Sequence, residues 1–96
     1  MFARVSTIIG PPDRIDDAAR SLREQAVPFA RQLDGFKGAY WLADRRSGTV
    51  LGVTLWESEE AMRASEAVVE PRRAQNARDF GASVQSVEEY EVIAQA

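Results

Sequence analysis

The stretch from Gly35 to Met62 constrains the fold more than any other part of the chain, and it reads GFKGAYWLADRRSGTVLGVTLWESEEAM. Two apolar segments, Ala39 to Asp44 and Thr49 to Trp56, flank a polar turn that ends in Gly48, which is typical of a β-hairpin. Ser58 follows as a plausible helix N-cap, and the glutamates after it suit the positive end of a helix dipole. This order predicts two antiparallel strands that run directly into a helix.

The segment before this stretch predicts one strand and one helix. Phe2 to Ile9 is rich in β-branched residues and is followed by Gly10 and two prolines, which indicates a strand and its end. Apolar residues then recur at three- and four-residue spacing from Pro12 to Leu33, as they do on one face of a helix. Pro28 lies inside this helix and removes a backbone donor, so a kink is expected near Glu24 to Val27.

The segment after it completes a βαββαβ order. The second helix is expected to break at Pro71 and to end at Gly81, and Val84 to Ile93 is the predicted fourth strand. With right-handed crossovers, this order predicts an α+β, ferredoxin-like fold, in which the first and third strands are central in a four-stranded antiparallel sheet. Both helices then lie on one face of the sheet. No linker or repeat divides residues 1–96, so one domain is expected.

The composition excludes several classes of function. The chain has no Cys and no His, which removes disulfides, the usual zinc sites and imidazole catalysis. The net charge is −3 and the arginines are scattered among acidic residues, so neither a nucleic-acid surface nor a membrane surface is expected. The acidic runs are interpreted as solvated charge, and no metal site is predicted. The N-terminal residues contain no apolar run of signal-peptide length, which favours a cytoplasmic location.

Both faces of the predicted hairpin are apolar. A loop of two or four residues would put Tyr40 and Val53 on one face and Trp41, Val50 and Thr54 on the other, whereas a three-residue loop would reverse the pairing. Helices on one side of a sheet cover only one face, so the bare face needs a partner. We therefore expect a homodimer formed by sheet-to-sheet packing, a dimeric α/β barrel, with Trp41, Val50 and Thr54 as candidate dimer contacts.

Two motifs carry a resemblance to a known family. The GFKG turn from Gly35 to Gly38 and the LWESEEAM junction from Leu55 to Met62, together with the hairpin strands, resemble the antibiotic biosynthesis monooxygenase group of dimeric α/β-barrel proteins. The resemblance covers nearly the whole chain. It implies the same barrel fold, in a group that includes cofactor-free monooxygenases acting on aromatic polyketides, haem-degrading enzymes and members of unknown activity.

The haem-degrading branch of this group is disfavoured by its own motif. That branch uses an Asn on the first strand, a Trp on the second helix and a His later in that helix. An ungapped alignment on the two shared motifs puts Ala3, Ser65 and Gln75 at these positions. Because the chain matches none of the three, a haem would need an unusual axial ligand. No cofactor is therefore expected.

A cofactor-free monooxygenase needs a dry cavity with aromatic walls and a few polar groups that hold a substrate phenolate. Arg4, on a central strand, is the candidate cation for an anionic substrate, and Ser6 or Thr7 is the candidate hydrogen-bond donor. The complete set of candidate pocket residues is Arg4, Ser6, Thr7, Tyr40, Trp56 and Met62, with Trp41 and Tyr90 as further aromatic candidates. None of them matches a catalytic motif, so no catalytic residue is assigned.

Each candidate also has a purely structural interpretation. Arg4 would then pair with Glu89 or Glu91 on the neighbouring strand, and Trp56 would anchor the second helix. Three functions stay open: a cofactor-free monooxygenase for a small aromatic or polyketide-like molecule, a non-catalytic dimer that binds a small apolar ligand, and a dimer whose cavity is filled. Converging polar groups in an open cavity would favour the enzyme over the carrier.

Overall fold

The computed structural model describes all 96 residues and contains a four-stranded antiparallel sheet. The strands are β1 (Phe2–Ile9), β2 (Phe36–Asp44), β3 (Thr49–Trp56) and β4 (Ser83–Glu91). Their order in the sheet is β2-β3-β1-β4, so the first and third strands are central. The predicted α+β, ferredoxin-like fold is confirmed. β2 begins three residues earlier than predicted, through an irregular pairing between Phe36 and Gly38.

The helical segment between β1 and β2 is irregular where Pro28 required it to be. It consists of a 3-10 turn at Pro12–Arg14, α1 (Ile15–Ser21), a π turn at Leu22–Ala26 and α2 (Val27–Ala30). The amide of Val27 bonds to the carbonyl of Leu22, five residues back. This wider turn coincides with the predicted kink and accommodates a proline that has no N–H to donate. α2 ends at Ala30, three residues before the predicted end of this helical segment.

The second helix, α3 (Glu59–Asp79), passes through Pro71 without a break, so the predicted interruption is wrong. Pro71 and the residue four positions earlier, Ala67, are both exposed. The carbonyl that Pro71 leaves without an amide partner can therefore bond to water, and the helix continues. The predicted N-cap is confirmed, because Ser58 Oγ accepts from the amide of Ala61 at 3.1 Å. None of the helices combines the length and apolar character that crossing a membrane requires.

A four-residue loop joins β2 and β3, since Asp44 pairs with Thr49. Trp41 therefore lies opposite Gly52, and Tyr40 opposite Val53, as expected for an even loop. Gly48 has a φ of +81°, and a Cβ atom there would overlap the carbonyl oxygen of Gly10. Only glycine fits this position, which brings the hairpin turn against the end of β1.

The carboxylate of Asp44 stabilises this turn. Its Oδ1 accepts from the amides of Arg46 and Ser47 at 2.9 and 3.4 Å, and these backbone hydrogen bonds hold the pKa of Asp44 below its ordinary value. A lowered folded-state pKa contributes stability that is present above the unfolded pKa and is lost as the pH falls through the folded one.

We predict that Asp44→Asn will reduce the loss of unfolding free energy that occurs as the pH falls into the acid range. The wild type should lose stability as the pH falls below about 4, and the variant should lose less over the same range because its amide does not titrate. Urea unfolding followed by circular dichroism at neutral pH and near pH 3 measures both losses. Asp34→Asn is the matched control, because Asp34 is exposed and makes no hydrogen bond. An equal reduction in the two variants would contradict this role of Asp44.

The two faces of the sheet differ in what covers them. Arg4, Gly52 and Trp56 lie on the face turned toward the helices, whereas Val5 and Val53 lie on the other face, by strand alternation. We call this second surface the open face; it consists of Val5, Thr7, Tyr40, Leu42, Leu51, Val53, Leu55, Glu88 and Tyr90. Tyr40 is 64% exposed, Leu42 51% and Tyr90 51%, so the chain leaves an apolar sheet surface bare.

Trp41, Val50 and Thr54, the predicted dimer contacts, lie on the face turned toward the helices and not on the open face. Trp41 is paired with Gly52 and Thr54 with Arg4, and these pairs share the face of Trp56, which is only 1% exposed. All three residues line the space beneath the helices. Tyr40, which was a candidate for the pocket, lies on the open face instead. The sheet does have a bare apolar face, but residues such as Tyr40, Leu42 and Val53 form it.

Candidate functional site

A cavity of about 290 Å³ lies between the helix-facing side of the sheet and the helices. Its floor is formed by β1, β2 and β3, and its other walls come from the segment Ile15–Ala30 and from α3. The main lining residues are Arg4, Ser6, Ile8, Ala18, Leu22, Phe29, Trp41, Val50, Gly52, Thr54, Trp56, Val69, Arg72 and Arg73. The volume lies near the lower end of the range of roughly 300–1,000 Å³ that ligand pockets occupy. A molecule of two or three fused rings is a reasonable size for it.

Small residues keep this space open. Three of the six apolar residues by which the segment Ile15–Ala30 lines the cavity are alanines, Ala18, Ala26 and Ala30. A larger residue at any of them would fill the cavity, since close-packed interiors leave few voids wider than a water molecule. The filled-cavity hypothesis is therefore not supported.

Gly52 makes room for the indole of Trp41. A Cβ atom on Gly52 would lie 3.1 Å from Trp41 Nε1 and 3.2 Å from Trp41 Cδ1, which is closer than side chains normally approach. The ring of Trp41 therefore lies against the backbone of β3 and forms part of the cavity floor. A longer residue at position 52 would have to push this ring into the cavity.

We predict that Gly52→Ala will displace Trp41 and reduce the cavity. Overpacking of this kind typically costs about 1–3 kcal/mol, so the variant should fold with lower stability and with an altered tryptophan near-ultraviolet spectrum. Urea unfolding and near-ultraviolet circular dichroism measure the two effects. Gly52→Ala combined with Trp41→Phe is the matched control, because the smaller ring should restore most of the lost stability. No difference between the single and double variants would contradict the contact.

Arg4 is the most buried charged residue, with 1% of its surface exposed. Its Nη2 donates to Ser65 Oγ at 3.0 Å and to the carbonyl oxygen of Met62, so α3 holds one edge of the guanidinium. Its Cζ atom lies 5.4 Å from the ring centroid of Trp56, within the range of a cation–π contact. These contacts fix the guanidinium between the sheet and α3, where it forms part of the cavity wall.

Two hydrogen-bond donors of Arg4 have no acceptor. Nε lies 3.3 Å from Glu66 Oε1, but the N–H direction does not make a hydrogen bond, and Nη1 is also buried without a partner. Burial lowers the pKa of Arg4, while the carboxylate of Glu66 raises it and Arg73 lowers it further. An arginine stays protonated even so. A buried cation with free donors is costly on its own and fits an anionic ligand.

Glu66 and Arg73 support Arg4 from α3. Arg73 donates to both carboxylate oxygens of Glu66, at 3.1 and 2.6 Å, in the bidentate geometry of a strong pair. Arg4 therefore shares a carboxylate that is already neutralised by another arginine. The predicted structural partners are not used, because Glu89 pairs with Arg63 at 3.5 Å and Arg4 pairs with Glu66.

The structure separates the predicted pocket residues into two groups. Arg4, Ser6 and Trp56 lie at the cavity, and Trp56 also packs edge-on against Phe36 and donates to Thr54 Oγ1 at 2.9 Å. Met62 is buried beside them and contributes its carbonyl, not its side chain, to the site.

The candidates Thr7 and Tyr40 do not join this site. Thr7 pairs with Leu51, and Tyr40 with Val53, so both side chains point to the open face. Tyr90 is on that face too, where its hydroxyl donates to Glu88 Oε2 at 3.0 Å and the bond raises the pKa of Tyr90. The aromatic candidates are thus divided between the two sides of the sheet.

Sequence reasoning missed the arginines of α3. The cavity lining contains four arginines, Arg4, Arg14, Arg72 and Arg73, but a single acidic residue, Asp79, although the whole chain has a net charge of −3. One face of α3 has the usual three- to four-residue spacing and contains residues 62, 65, 69, 72 and 76. This spacing could have predicted that Arg72 lies on the inward face of the helix. The expected break at Pro71 hid it, because it ended the inward face one residue before Arg72.

Two Mycobacterium tuberculosis proteins of uncharacterised function are similar to the chain in sequence. Rv2557 is 36% identical over 94 residues, which are 98% of this chain and 42% of Rv2557. Rv2558 is 36% identical over 92 residues, which are 96% of this chain and 39% of Rv2558. The chain thus spans less than half the length of these relatives. No protein-family model matches the chain.

Solved structures of three proteins share the fold over almost the whole chain. The haem-degrader MhuD of Mycobacterium tuberculosis, with two haems bound in its active site, has a TM-score of 0.78 and 20% identity, and covers 100% of this chain and 99% of its own. A Deinococcus radiodurans protein assigned as an antibiotic biosynthesis monooxygenase has a TM-score of 0.67 and 22% identity, with coverage of 100% and 96%. The Streptomyces coelicolor monooxygenase from the gene ActVA-Orf6, in complex with Nanaomycin D, has a TM-score of 0.71 and 18% identity, with coverage of 99% and 89%. The expected resemblance to the antibiotic biosynthesis monooxygenases is confirmed at the level of the fold.

Proposed function

We propose that this chain, which has the fold of the antibiotic biosynthesis monooxygenases, is a cofactor-independent monooxygenase that oxidises a small aromatic or polyketide-like molecule with molecular oxygen. The observation that carries the proposal is Arg4: a guanidinium 1% exposed, with free donors, at an apolar cavity walled by Trp41 and Trp56. Such a group is suited to a planar substrate that becomes an anion when it reacts.

The chemistry requires no electron donor other than the substrate. A ring methylene carbon, such as that of an anthrone or of the keto tautomer of a fused-ring phenol, is converted by one O₂ into a ketone, with one oxygen atom retained in the product and the other released as water. The carbon loses four electrons and O₂ gains four, so the equation balances without a cofactor. The first step is loss of a proton from the substrate, which produces an electron-rich phenolate or enolate.

Arg4 would favour that first step. A cation beside a phenol or an enol lowers its pKa by stabilising the anion, and the effect is larger in a cavity that excludes water. Arg4 would act through its charge at the cavity wall, because Nη2 stays bound to α3 and Nη1 is buried from solvent. Trp41 would hold the ring system in place by stacking or edge contacts, whereas Trp56, only 1% exposed, supports Arg4 through the cation–π contact.

The residues present do not fit a haem. The cavity lining has no His, Cys, Tyr or Met side chain, so no protein ligand for the iron faces this space. Ser65, at one of the positions considered for the haem-degrading motif, is committed to Arg4 and to the Met62 carbonyl. Ala3, at another, pairs with Leu55 and lies on the face away from the cavity. Haem degradation remains disfavoured for this chain.

A non-catalytic ligand-binding role is the second candidate. It is favoured by the scarcity of candidate general bases, because the lining has no His or Cys and a single carboxylate, that of Asp79. Such a cavity would bind an aromatic anion without assisting proton transfer. The same cavity serves both candidates, so only a reaction assay separates them.

The proposed assembly is a homodimer in which two open faces pack together. Only 11 of the 96 residues are buried in the single chain, which is a small core even for a domain of this size. A second copy would cover Tyr40, Leu42, Leu51, Val53 and Leu55, which otherwise remain in water. Face-to-face packing of this kind places the two cavities on the outer sides of the barrel.

An oxygen-uptake assay tests the proposed activity. The purified protein is mixed with fused-ring phenols and with anthrone-type ketones in isotopically labelled oxygen, after treatment with a metal chelator. The expected result is oxygen consumption faster than the uncatalysed rate and one labelled atom in each product molecule. Tight binding of these compounds with no oxygen consumption would replace the enzyme with the ligand-binding protein, and absence of binding would overturn both.

A further inference from the structure

We infer that the ligand of this cavity is an aromatic acid, a planar ring system that carries a carboxylate bound by Arg72 in addition to the ring oxygen that faces Arg4. This inference rests on the proposed aromatic ligand and names its chemical class. It is supported by the arrangement of charged side chains along α3. The reaction with oxygen does not itself require a carboxylate on the substrate.

Arg72 is the cavity arginine without a carboxylate partner. Among the other three, Arg14 lies 3.6 Å from Asp17, Arg73 holds Glu66, and Arg4 shares Glu66. No acidic side chain lies within ion-pair distance of Arg72. Its positive charge at the cavity is therefore balanced only by solvent or by a ligand.

Phe29 holds Arg72 in position without using its donors. The Cζ atom of Arg72 lies 3.7 Å from the ring centroid of Phe29, so the guanidinium lies over the ring of a residue that also lines the cavity. A cation–π contact of this kind orients the plane of the guanidinium and leaves its N–H groups free at the edge. An arginine fork that is oriented and unpaired matches a carboxylate, which accepts two parallel hydrogen bonds.

Arg4, which shares Glu66 with Arg73, and the unpaired Arg72 lie at different depths. Arg4 is buried on the sheet side, whereas Arg72 is exposed on α3 and lies next to Arg73, whose partner Glu66 also contacts Arg4. A ligand that satisfies both therefore needs two acidic groups on one rigid frame. The inner group would be the phenol or enol that reacts, and the outer group would be the carboxylate that determines which molecules are accepted.

Tryptophan fluorescence provides a direct binding assay, because the chain has two tryptophans and both line the cavity. The probes are naphthol and the hydroxynaphthoate with the same ring system, which differ by one carboxylate. We expect the acid to bind the wild type about tenfold more tightly than the neutral ring, as one charge-assisted contact would provide. Arg72→Gln should bring the ratio of the two affinities close to one, and this ratio is the readout because Arg72 lines the cavity itself.

Two further variants make the result interpretable. Arg46→Gln removes a charge of the same sign from the exposed hairpin turn and should change neither affinity. Arg72→Lys keeps the charge without the fork and should retain part of the preference for the acid. Equal binding of the two probes by the wild type, or an Arg72→Gln variant that keeps the preference, would overturn the inference and leave the proposed function standing. Failure of both probes to quench the fluorescence would overturn the aromatic ligand itself, and the inference with it.

Discussion

Replacing Arg4 with Met is expected to lower the rate of substrate oxidation about 10²–10³-fold, the usual effect of removing one preorganised donor from a developing anion. Met has a similar length and no charge, so it keeps the packing against Trp56 but cannot stabilise a phenolate. Oxygen consumption under saturating substrate measures the loss. The pH at which the bound substrate ionises, followed by its absorbance, should move upward in the variant, because the cation that favours the anion is gone.

The folded state should survive this change. Met62 O still accepts from Ser65 Oγ at 2.7 Å, and Glu66 keeps its bidentate contact with Arg73, so no buried acceptor or charge is left alone. Removing one partner of a buried ion pair is strongly destabilising when the other charge is left uncompensated, and Arg73 keeps Glu66 paired here. Arg4→Lys is the informative companion, since it retains a charge but not the planar fork. A rate unchanged in Arg4→Met, or a rate that falls with no shift in substrate ionisation, would show that Arg4 is purely structural.

The fold was predictable because local signals and topology agree. The sequence predicts the exact bounds of β3 and the serine N-cap of α3, whereas it leaves the hairpin loop open between an even and an odd length. Both predictions depend on residues close together in the chain. Pro71 shows the limit of such signals, because whether a proline ends a helix depends on whether the freed carbonyl reaches water, which is a property of the packed structure.

The site was only partly predictable. Alternation along β1 puts Arg4 and Ser6 on one side and Thr7 on the other, but it does not say which side faces the helices. Trp56 indicates which side faces the helices, because a tryptophan at a strand-to-helix junction packs under the helix. Alternation along the strand then places Thr54 and Gly52 on the same face. Trp41 joins them because it pairs with Gly52. The unpaired state of Arg72 depends on where every carboxylate lies, so no sequence pattern predicts it.

Val53→Asp, a substitution on the open face, is expected to convert the proposed dimer into a monomer. Val53 lies on a central strand and pairs with Val5 on one side and Tyr40 on the other, so its side chain is surrounded by apolar neighbours of the same face. In a sheet-to-sheet dimer each copy would bury an unpaired carboxylate, at a cost of several kcal/mol. The dissociation constant should rise by at least about a thousandfold. Sedimentation velocity across a range of protein concentrations measures it.

Ser47→Asp adds the same charge in the exposed hairpin turn, outside the open face, and should leave the dimer intact. If the dimer forms as proposed, Val53→Asp should also lower the unfolding temperature and make it independent of protein concentration, because the remaining single chain has only a small core. The same strand positions Gly52 and Thr54 in the cavity floor, so loss of the partner should weaken ligand binding through the sheet. A wild-type protein that sediments as a monomer at micromolar concentration, or a Val53→Asp variant that stays dimeric, would remove the open face as the interface.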